Sequence, residues 1–259
     1  MSTIELCRDF DSARYNLLGS IESADKFVRQ NSQIDELLNQ AAKLFFKHNA
    51  HSVFGLGLLH RHHWCNSGER MSQEAGTVSG EAALVTRPVQ GALDHTREVP
   101  WLWAISEGKY HPLEFTSDPV ARALFVKTAE IPEAFFRDLS NLLDESPIGH
   151  MLGLAIIQRE LHNSMPDDHT LLEFSYCDER ESVIHVRHVE DAVESIITTW
   201  GFEIRIEPKA GCVEPETKCH PVYKCRCREY TDEDGKKHHQ GHESYKERHD
   251  QIRGQHNPS

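Results

Sequence analysis

The chain has 259 residues, of which 38% are hydrophobic and 27% charged, and its formal net charge is −13. This length suffices to bury a large core, and no stretch reaches the ~18 consecutive apolar residues of a membrane-spanning helix. We therefore expect no membrane partner. The amino terminus has no basic segment followed by an apolar one, which predicts a cytoplasmic protein without a targeting signal.

The negative charge is concentrated before residue 209, since residues 209–259 carry ten Lys and Arg against nine Asp and Glu. An acidic surface repels phosphate backbones, so the composition argues against a nucleic-acid partner. Four of the seven cysteines and six of the eighteen histidines lie in residues 209–259. In a reducing compartment such a cluster indicates metal ligation more than disulfide bonding.

Apolar residues at helical spacing predict several helices. A short helix is expected over Ile21 to Arg29, and a longer one after Ser32, whose side chain would cap it. Pro132 opens a third helix, and Ser146 to Leu161, which is apolar nearly all round, is predicted as a buried central helix. A short helix over Asp191 to Trp200, ended by Gly201, is the last.

Alternating or short apolar runs predict the strands. The runs Trp101 to Ser106 and Tyr110 to Thr116 flank Glu107-Gly108-Lys109, which predicts a hairpin, with Pro112 indicating an edge or a bulge. The other predicted strands are Ser52–His60, Glu69–Ser72, Ala82–Arg87, Thr170–Tyr176, Ser182–His188 and Phe202–Ile206.

This order of elements predicts an α+β fold, an antiparallel sheet packed against several helices, with a Cys/His-rich C-terminal extension. We expect residues 1–208 to form this domain, with a weakly patterned lead-in over 1–31, and to fold without the extension. Residues 209–245 are the predicted zinc-binding segment. Residues 246–259 lack the apolar residues for a core, which predicts disorder.

The most informative motif is the block around His60, His62 and Glu69. Side chains alternate along a strand, so His60 and His62 are expected on one side, about 7 Å apart. Two imidazoles and a carboxylate are a common ligand set for zinc or iron. The alternative is that the histidines cap the strand and hydrogen-bond to the backbone.

Two further histidines are candidate catalytic residues. His63 completes three histidines within four positions, and His111 lies on a hairpin strand of the same predicted sheet, which could carry it into the same pocket as an additional ligand. The sequence contains no nucleophile elbow, phosphate-binding glycine loop or dinucleotide fingerprint.

The block from Leu58 to Glu69 resembles two families. His60-Arg-His62, Glu69 and Gly76 are similar to the first cupin motif, with a longer interval between His62 and Glu69. Leu58-Leu-His-Arg-His followed by Gly68-Glu69 resembles a family of uncharacterised fungal α+β proteins with a Cys/His-containing tail. That second resemblance extends over the whole chain and implies no activity.

The tail has the ligand types of a structural zinc site, in a spacing that matches no standard zinc finger. The alternative is a disordered tail with free thiols. The predicted ligands are Cys212, Cys219, Cys225, Cys227, His238 and His242.

Two functional hypotheses follow. In the first, the chain is a metal-dependent enzyme that uses zinc or iron, held by His60, His62 and Glu69, on a small organic substrate. In the second, it is a non-catalytic protein-interaction module stapled by zinc in its tail.

Overall fold

A computed structural model describes residues 6–7, 10–78, 80–157, 169–176, 179–188, 196–205, 216–225, 228–231 and 237–240. Its α-helices are α1 (Ser12–Asn16), α2 (Ile21–Arg29), α3 (Ile34–Lys47), α4 (Pro119–Lys127) and α5 (Glu133–Asp144). Its strands are β1 (Phe54–Leu58), β2 (Glu69–Val78), β3 (Glu81–Gln90), β4 (Val99–Ser106), β5 (Lys109–Thr116), β6 (Leu152–Ile156), β7 (His169–Tyr176), β8 (Glu181–His188), β9 (Ile196–Arg205), β10 (Glu216–Cys225), β11 (Arg228–Thr231) and β12 (Lys237–Gln240).

Ten strands close into a barrel in the order β1-β6-β4-β5-β2-β3-β8-β7-β10-β9, and β9 pairs with β1 to complete it. Strands β11 and β12 form a separate two-stranded sheet. The α+β class is confirmed. The prediction of an antiparallel sheet is corrected, because β5 runs parallel to β2 and β7 runs parallel to β10.

The helices α3 and α5 pack against the barrel through aromatic side chains. Phe45 of α3 contacts Phe135 of α5 and Phe202 of β9, with ring centroids 5.0 and 4.6 Å apart. All three rings are fully buried, and burial of each contributes about 1.5–3 kcal/mol. The helix α3 begins at Ile34 after Gln33, so Ser32 is not its cap.

The predicted hairpin is confirmed in β4 and β5. Glu107 and Gly108 have φ angles of 53° and 72°, which is the left-handed pair that a two-residue hairpin turn requires. The register between the two strands shifts between Pro100 and Trp103, so the sheet is bulged near Pro112, as expected from its missing backbone donor.

The predicted helix over residues 146–161 is wrong within the described part of the chain. Gly149–Met151 form a single 3-10 turn, and Leu152–Ile156 form strand β6 between β1 and β4. A short run that is apolar on every side suits a strand buried on both faces as well as a buried helix. Residues 158–161 lie outside the described residues.

The helix predicted over residues 191–200 is also corrected. Ile196 to Trp200 belong to β9, and the strand continues through Gly201 to Arg205. Residues 191–195 lie outside the described residues. In the described part of the chain, no helix combines the length and apolar character that crossing a membrane requires.

Strand pairing extends beyond the predicted domain boundary at residue 208. Strand β10, which lies in the predicted extension, pairs with β9 over nine positions and with β7 over three. It fills the gap between these two strands, so the barrel is not complete at residue 208.

Candidate functional site

The loop between β1 and β2, Leu59–Gly68, carries three of the predicted site histidines, and we call it the histidine loop. It begins where Leu59 donates a backbone hydrogen bond to Met151 beside the end of β1, at 2.8 Å. The rings of His60 and His62 lie side by side, with centroids 4.5 Å apart. The expected adjacency of these two imidazoles is therefore present, although they lie on a loop and not on a strand.

The ring of His62 lies between two carboxylates that the sequence analysis did not select. Its Nδ1 is 2.8 Å from Oε1 of Glu173, and its Nε2 is 3.3 Å from Oε1 of Glu114. Glu114 is fully buried, and the side chains of His62 and Glu173 are each only 7% exposed. Each ring nitrogen of His62 thus faces its own buried carboxylate.

These contacts cross the inside of the barrel. Glu114 lies on β5 and Glu173 on β7, with β2, β3 and β8 between them in the sheet. In a flat sheet, strands four places apart would be about 19 Å apart. One imidazole can contact both carboxylates only because the sheet curls around it, so His62 lies in the barrel interior.

A row of polar side chains crosses five strands on the same face. In register from β5 to β7 it comprises Thr116, Gln73, Thr86, Ser182 and Ser175. Glu114 and Glu173 are each two residues from the ends of this row and therefore point to the same side. The polar row and the two carboxylates form one polar patch inside the barrel.

His63 joins the histidine loop to this row. Its Nε2 is 3.2 Å from the hydroxyl of Ser182, which in turn is 3.0 Å from the hydroxyl of Ser175. His63 and Ser182 are both buried. Two consecutive loop residues, His62 and His63, therefore contact different parts of the polar patch.

Burial makes the carboxyl group of Glu114 an unusually weak acid. Desolvation in the barrel interior raises the pKa of Glu114 to about 7, while His62 acts to lower it and Glu173 to raise it. Glu114 can therefore gain or lose a proton near neutral pH.

The orientation of His60 is fixed by the backbone. Its Nδ1 lies 2.8 Å from the carbonyl oxygen of Leu58, and because a carbonyl can only accept, Nδ1 carries the proton. In neutral His60 the lone pair is therefore on Nε2. Hydrogen bonding of His60 to the backbone is one feature that the alternative interpretation of this histidine predicted.

Glu69 lies at the start of β2 in a different environment. Its carboxylate accepts hydrogen bonds from two guanidinium nitrogens of Arg180, at 3.1 and 2.7 Å, and from the backbone N–H of Asn66, at 2.7 Å. The hydrogen bonds from Arg180 are the main cause that lowers the pKa of Glu69 to about 2. Glu69 is therefore paired with Arg180, and the carboxylates in contact with His62 are those of Glu114 and Glu173.

His111 lies on β5 opposite Ala104, close to the hairpin turn and three residues from Glu114. Three residues of strand span about 10 Å. The catalytic role predicted for His111 stays a prediction, as does that for His63.

The predicted tail ligands fall partly outside the described residues. Cys212, Cys227 and His242 lie outside them, while Cys219 and Cys225 lie on β10 and His238 lies on β12. Within the described part of the chain, no group of three or more His, Cys, Asp or Glu side chains is arranged to hold a metal ion. Zinc binding by the tail stays a prediction.

Glu114 and Glu173 were not among the predicted site residues, although both stand in the same local pattern. Each is the middle residue of a Leu-Glu-Phe tripeptide in an otherwise apolar strand. A carboxylate at the centre of a buried strand costs free energy unless a partner offsets its desolvation. The repeated pattern was therefore the available signal that these strands line a polar site.

Comparisons with known proteins give no relative for this chain: no family model, no curated protein and no solved structure matches it. The resemblances to the cupin motif and to the fungal family stay predictions. The geometry of the barrel interior is therefore the evidence on function.

Proposed function

We propose that the chain is an enzyme that transfers protons to and from a small organic molecule bound in the barrel interior. Glu114 and His62 form the acid–base pair, and Glu173 orients His62. The single observation that supports this proposal is the His62 ring held between two buried carboxylates, at 2.8 and 3.3 Å.

Each of the three side chains has a separate role in proton transfer. Glu173 lies 2.8 Å from Nδ1 of His62 and so directs Nε2 at Glu114. When Glu114 is ionised it accepts a proton from the substrate, and it returns that proton to another substrate atom later in the reaction. His62 can take the proton in between, because its Nε2 faces Glu114. Positioned groups of this kind accelerate reactions by roughly 10²–10⁴-fold.

The polar row supplies groups that can orient a substrate. Its hydroxyls and the Gln73 amide can donate and accept hydrogen bonds inside the barrel. Polar contacts of this type suit a small molecule that carries hydroxyl or carbonyl groups.

A panel of substrates tests the proposal. It would contain chromogenic esters, glycosides and phosphate esters, together with enolisable ketones whose exchange with D₂O is followed by NMR. Wild type, Glu114→Gln and the control Glu74→Gln, which removes an exposed carboxylate on β2, would be compared. We expect one substrate class to be turned over, with a loss of about 100-fold or more in Glu114→Gln and little change in the control. An activity that Glu114→Gln leaves intact would contradict the proposal.

A metal-dependent enzyme using zinc or iron is the second candidate. Histidines that bind metals usually donate their other ring N–H to a carboxylate or a backbone carbonyl. His62 has Glu173 at Nδ1 and His60 has the Leu58 carbonyl, so this feature favours both as ligands through Nε2. The carboxylate would be Glu69, as predicted from sequence, or Glu114, which already faces Nε2 of His62.

Metal stoichiometry on the purified protein separates the possibilities. It would be measured on wild type, on His60→Ala with His62→Ala, on Glu69→Gln and on Glu114→Gln. Loss of metal in the double histidine variant would support the metal enzyme, and the two glutamine variants would identify its carboxylate. Metal lost only when Cys219 and Cys225 are changed to Ser would favour the zinc-stapled interaction module.

A further inference from the structure

The histidine loop is hydrogen-bonded to the segment around α1. The Asn16 amide forms a reciprocal pair with Cys65, donating to its carbonyl oxygen at 2.8 Å and accepting from its N–H at 3.0 Å. The hydroxyl of Tyr15 accepts the backbone N–H of His62 at 3.0 Å. Arg61 donates to the carbonyl oxygens of Gly19 and Asn16, at 2.9 and 2.6 Å. Five hydrogen bonds thus connect the two segments.

Arg180, on the turn between β7 and β8, forms a second set of contacts with the loop. Its guanidinium group binds both oxygens of Glu69 and also donates to the carbonyl oxygen of Trp64. Glu69 in turn accepts the N–H of Asn66. Arg180 therefore spans the end of the histidine loop and the start of β2.

We infer that Asn16, at the end of α1, and Arg180, on the turn between β7 and β8, are positioning residues that clamp the histidine loop and thereby hold His62 between Glu114 and Glu173. The inference rests on the proposed function for its catalytic meaning. Its structural content is independent, because it predicts the location of His62 whatever reaction the barrel performs.

The physical reason lies in the way His62 is attached. It belongs to a loop without strand pairing, and its ring must stay within hydrogen-bond distance of two strands that are far apart in the sheet. Polar side chains held to this precision need supporting hydrogen bonds from neighbouring residues. Charge-assisted hydrogen bonds such as those of Arg180 are the strongest of this type.

Arg87 provides a matched control for Arg180. Arg87 binds two carboxylates, Glu74 and Glu181, on the exposed surface of neighbouring strands, whereas Arg180 binds the single carboxylate of Glu69. Loss of Arg87 therefore removes two surface ion pairs without changing a contact to the histidine loop.

The test compares wild type with Asn16→Ala, Arg180→Gln, Arg180→Lys and Arg87→Gln by NMR. One readout is the ring N–H resonance of His62, which the contact with Glu173 at 2.8 Å should shift downfield. The other is hydrogen exchange at the amides of His62 and Cys65. We expect Asn16→Ala and Arg180→Gln to lose the ring resonance and to speed exchange by about tenfold or more. Arg180→Lys should restore part of the protection, and Arg87→Gln should match wild type.

An unchanged His62 resonance and unchanged exchange in both Asn16→Ala and Arg180→Gln would overturn the inference. So would equal losses in Arg87→Gln, since these would show a general effect on stability. If the clamp variants behave as expected but the substrate panel detects no Glu114-dependent activity, the clamp is supported and the proposed function fails. The two failures are therefore distinguishable.

Discussion

At the scale of single residues, two glutamates show how surroundings determine acidity. Glu114 is fully buried, and desolvation raises its pKa to about 7, whereas hydrogen bonds from Arg180 lower the pKa of Glu69 to about 2. Both residues have the same chemistry in the unfolded chain. Only Glu114 is therefore suited to exchange a proton near neutral pH, and Glu69 is suited to a permanent ion pair.

The acidity of Glu114 predicts a pH-dependent free energy of unfolding. Its folded pKa lies above the unfolded value of 4.5, so its favourable contribution is complete below pH 4.5 and is lost as pH rises towards 7. Relative to Glu114→Gln, wild type should lose on the order of 3 kcal/mol between pH 4.5 and 8. Urea unfolding of both proteins across this range measures the difference. A difference that does not change with pH would contradict the assigned pKa.

We expect the thiol of Cys65 to be unreactive, although this residue lies in the histidine loop. It is 2% exposed, and burial raises its pKa to about 12. Since only the thiolate reacts with iodoacetamide, Cys65 should stay unmodified at pH 8 until the protein unfolds. Peptide mass spectrometry would locate the modified cysteines. Rapid alkylation of Cys65 in the folded protein would show that the histidine loop opens readily.

At the scale of secondary-structure elements, local patterns identified most helices and strands. The hairpin of β4 and β5 follows from its turn residues, and α2, α3 and α5 follow from apolar spacing. The pattern failed at β6, because Leu152 to Ile156 is apolar on every side and its partner strands are distant in sequence. Periodicity cannot separate a doubly buried strand from a buried helix, so only the tertiary contacts decide.

Substitution of Gly153 tests the assignment of β6. A Cβ atom there would lie 2.2 Å from the carbonyl oxygen of Trp103 and 2.6 Å from a methyl carbon of Leu59. Gly153→Ala should therefore lower the free energy of unfolding by about 3 kcal/mol. In a helix, the same change would stabilise the protein by up to about 1 kcal/mol.

Gly76→Ala is the matched control for this substitution. Gly76 also lies in a strand, but its nearest contact would be a Val85 methyl carbon at an ordinary 3.6 Å. We expect a change of less than about 1 kcal/mol, measured by urea unfolding. Equal effects at the two glycines would contradict the close approach of β6 and β4.

At the scale of the whole molecule, the closed barrel brings the functional side chains together. The class of fold could be predicted from the order of elements, and the adjacency of His60 and His62 from their spacing. The contacts of His62 with Glu114 and Glu173 could not be predicted, because they depend on a sheet of ten strands that closes into a barrel. The parallel pairs β2–β5 and β7–β10 likewise join segments whose local sequences contain no sign of their partners.

Truncation after residue 208 tests the closure of the barrel. It removes β10 and leaves β7 and β9 with unpaired edges, which favours aggregation and weakens the core. We expect the shortened chain to lose its cooperative thermal transition, measured by circular dichroism and calorimetry. A chain ending after residue 225, which keeps β10, is the control. A shortened chain that melts cooperatively like the control would show that residues 1–208 fold alone.

The most direct test of the acid–base centre is the titration of the Glu114 side-chain carboxyl carbon by NMR, in wild type and in His62→Ala. Glu114 faces His62, with Glu173 on the far side of that ring, and its negative charge helps to raise the pKa of Tyr15 and of Cys65. We predict a pKa near 7 in wild type, and a higher value in His62→Ala because His62 favours the ionised carboxylate. A wild-type pKa near 4.5, unchanged when His62 is removed, would contradict the placement of Glu114 and His62 in a shared buried site.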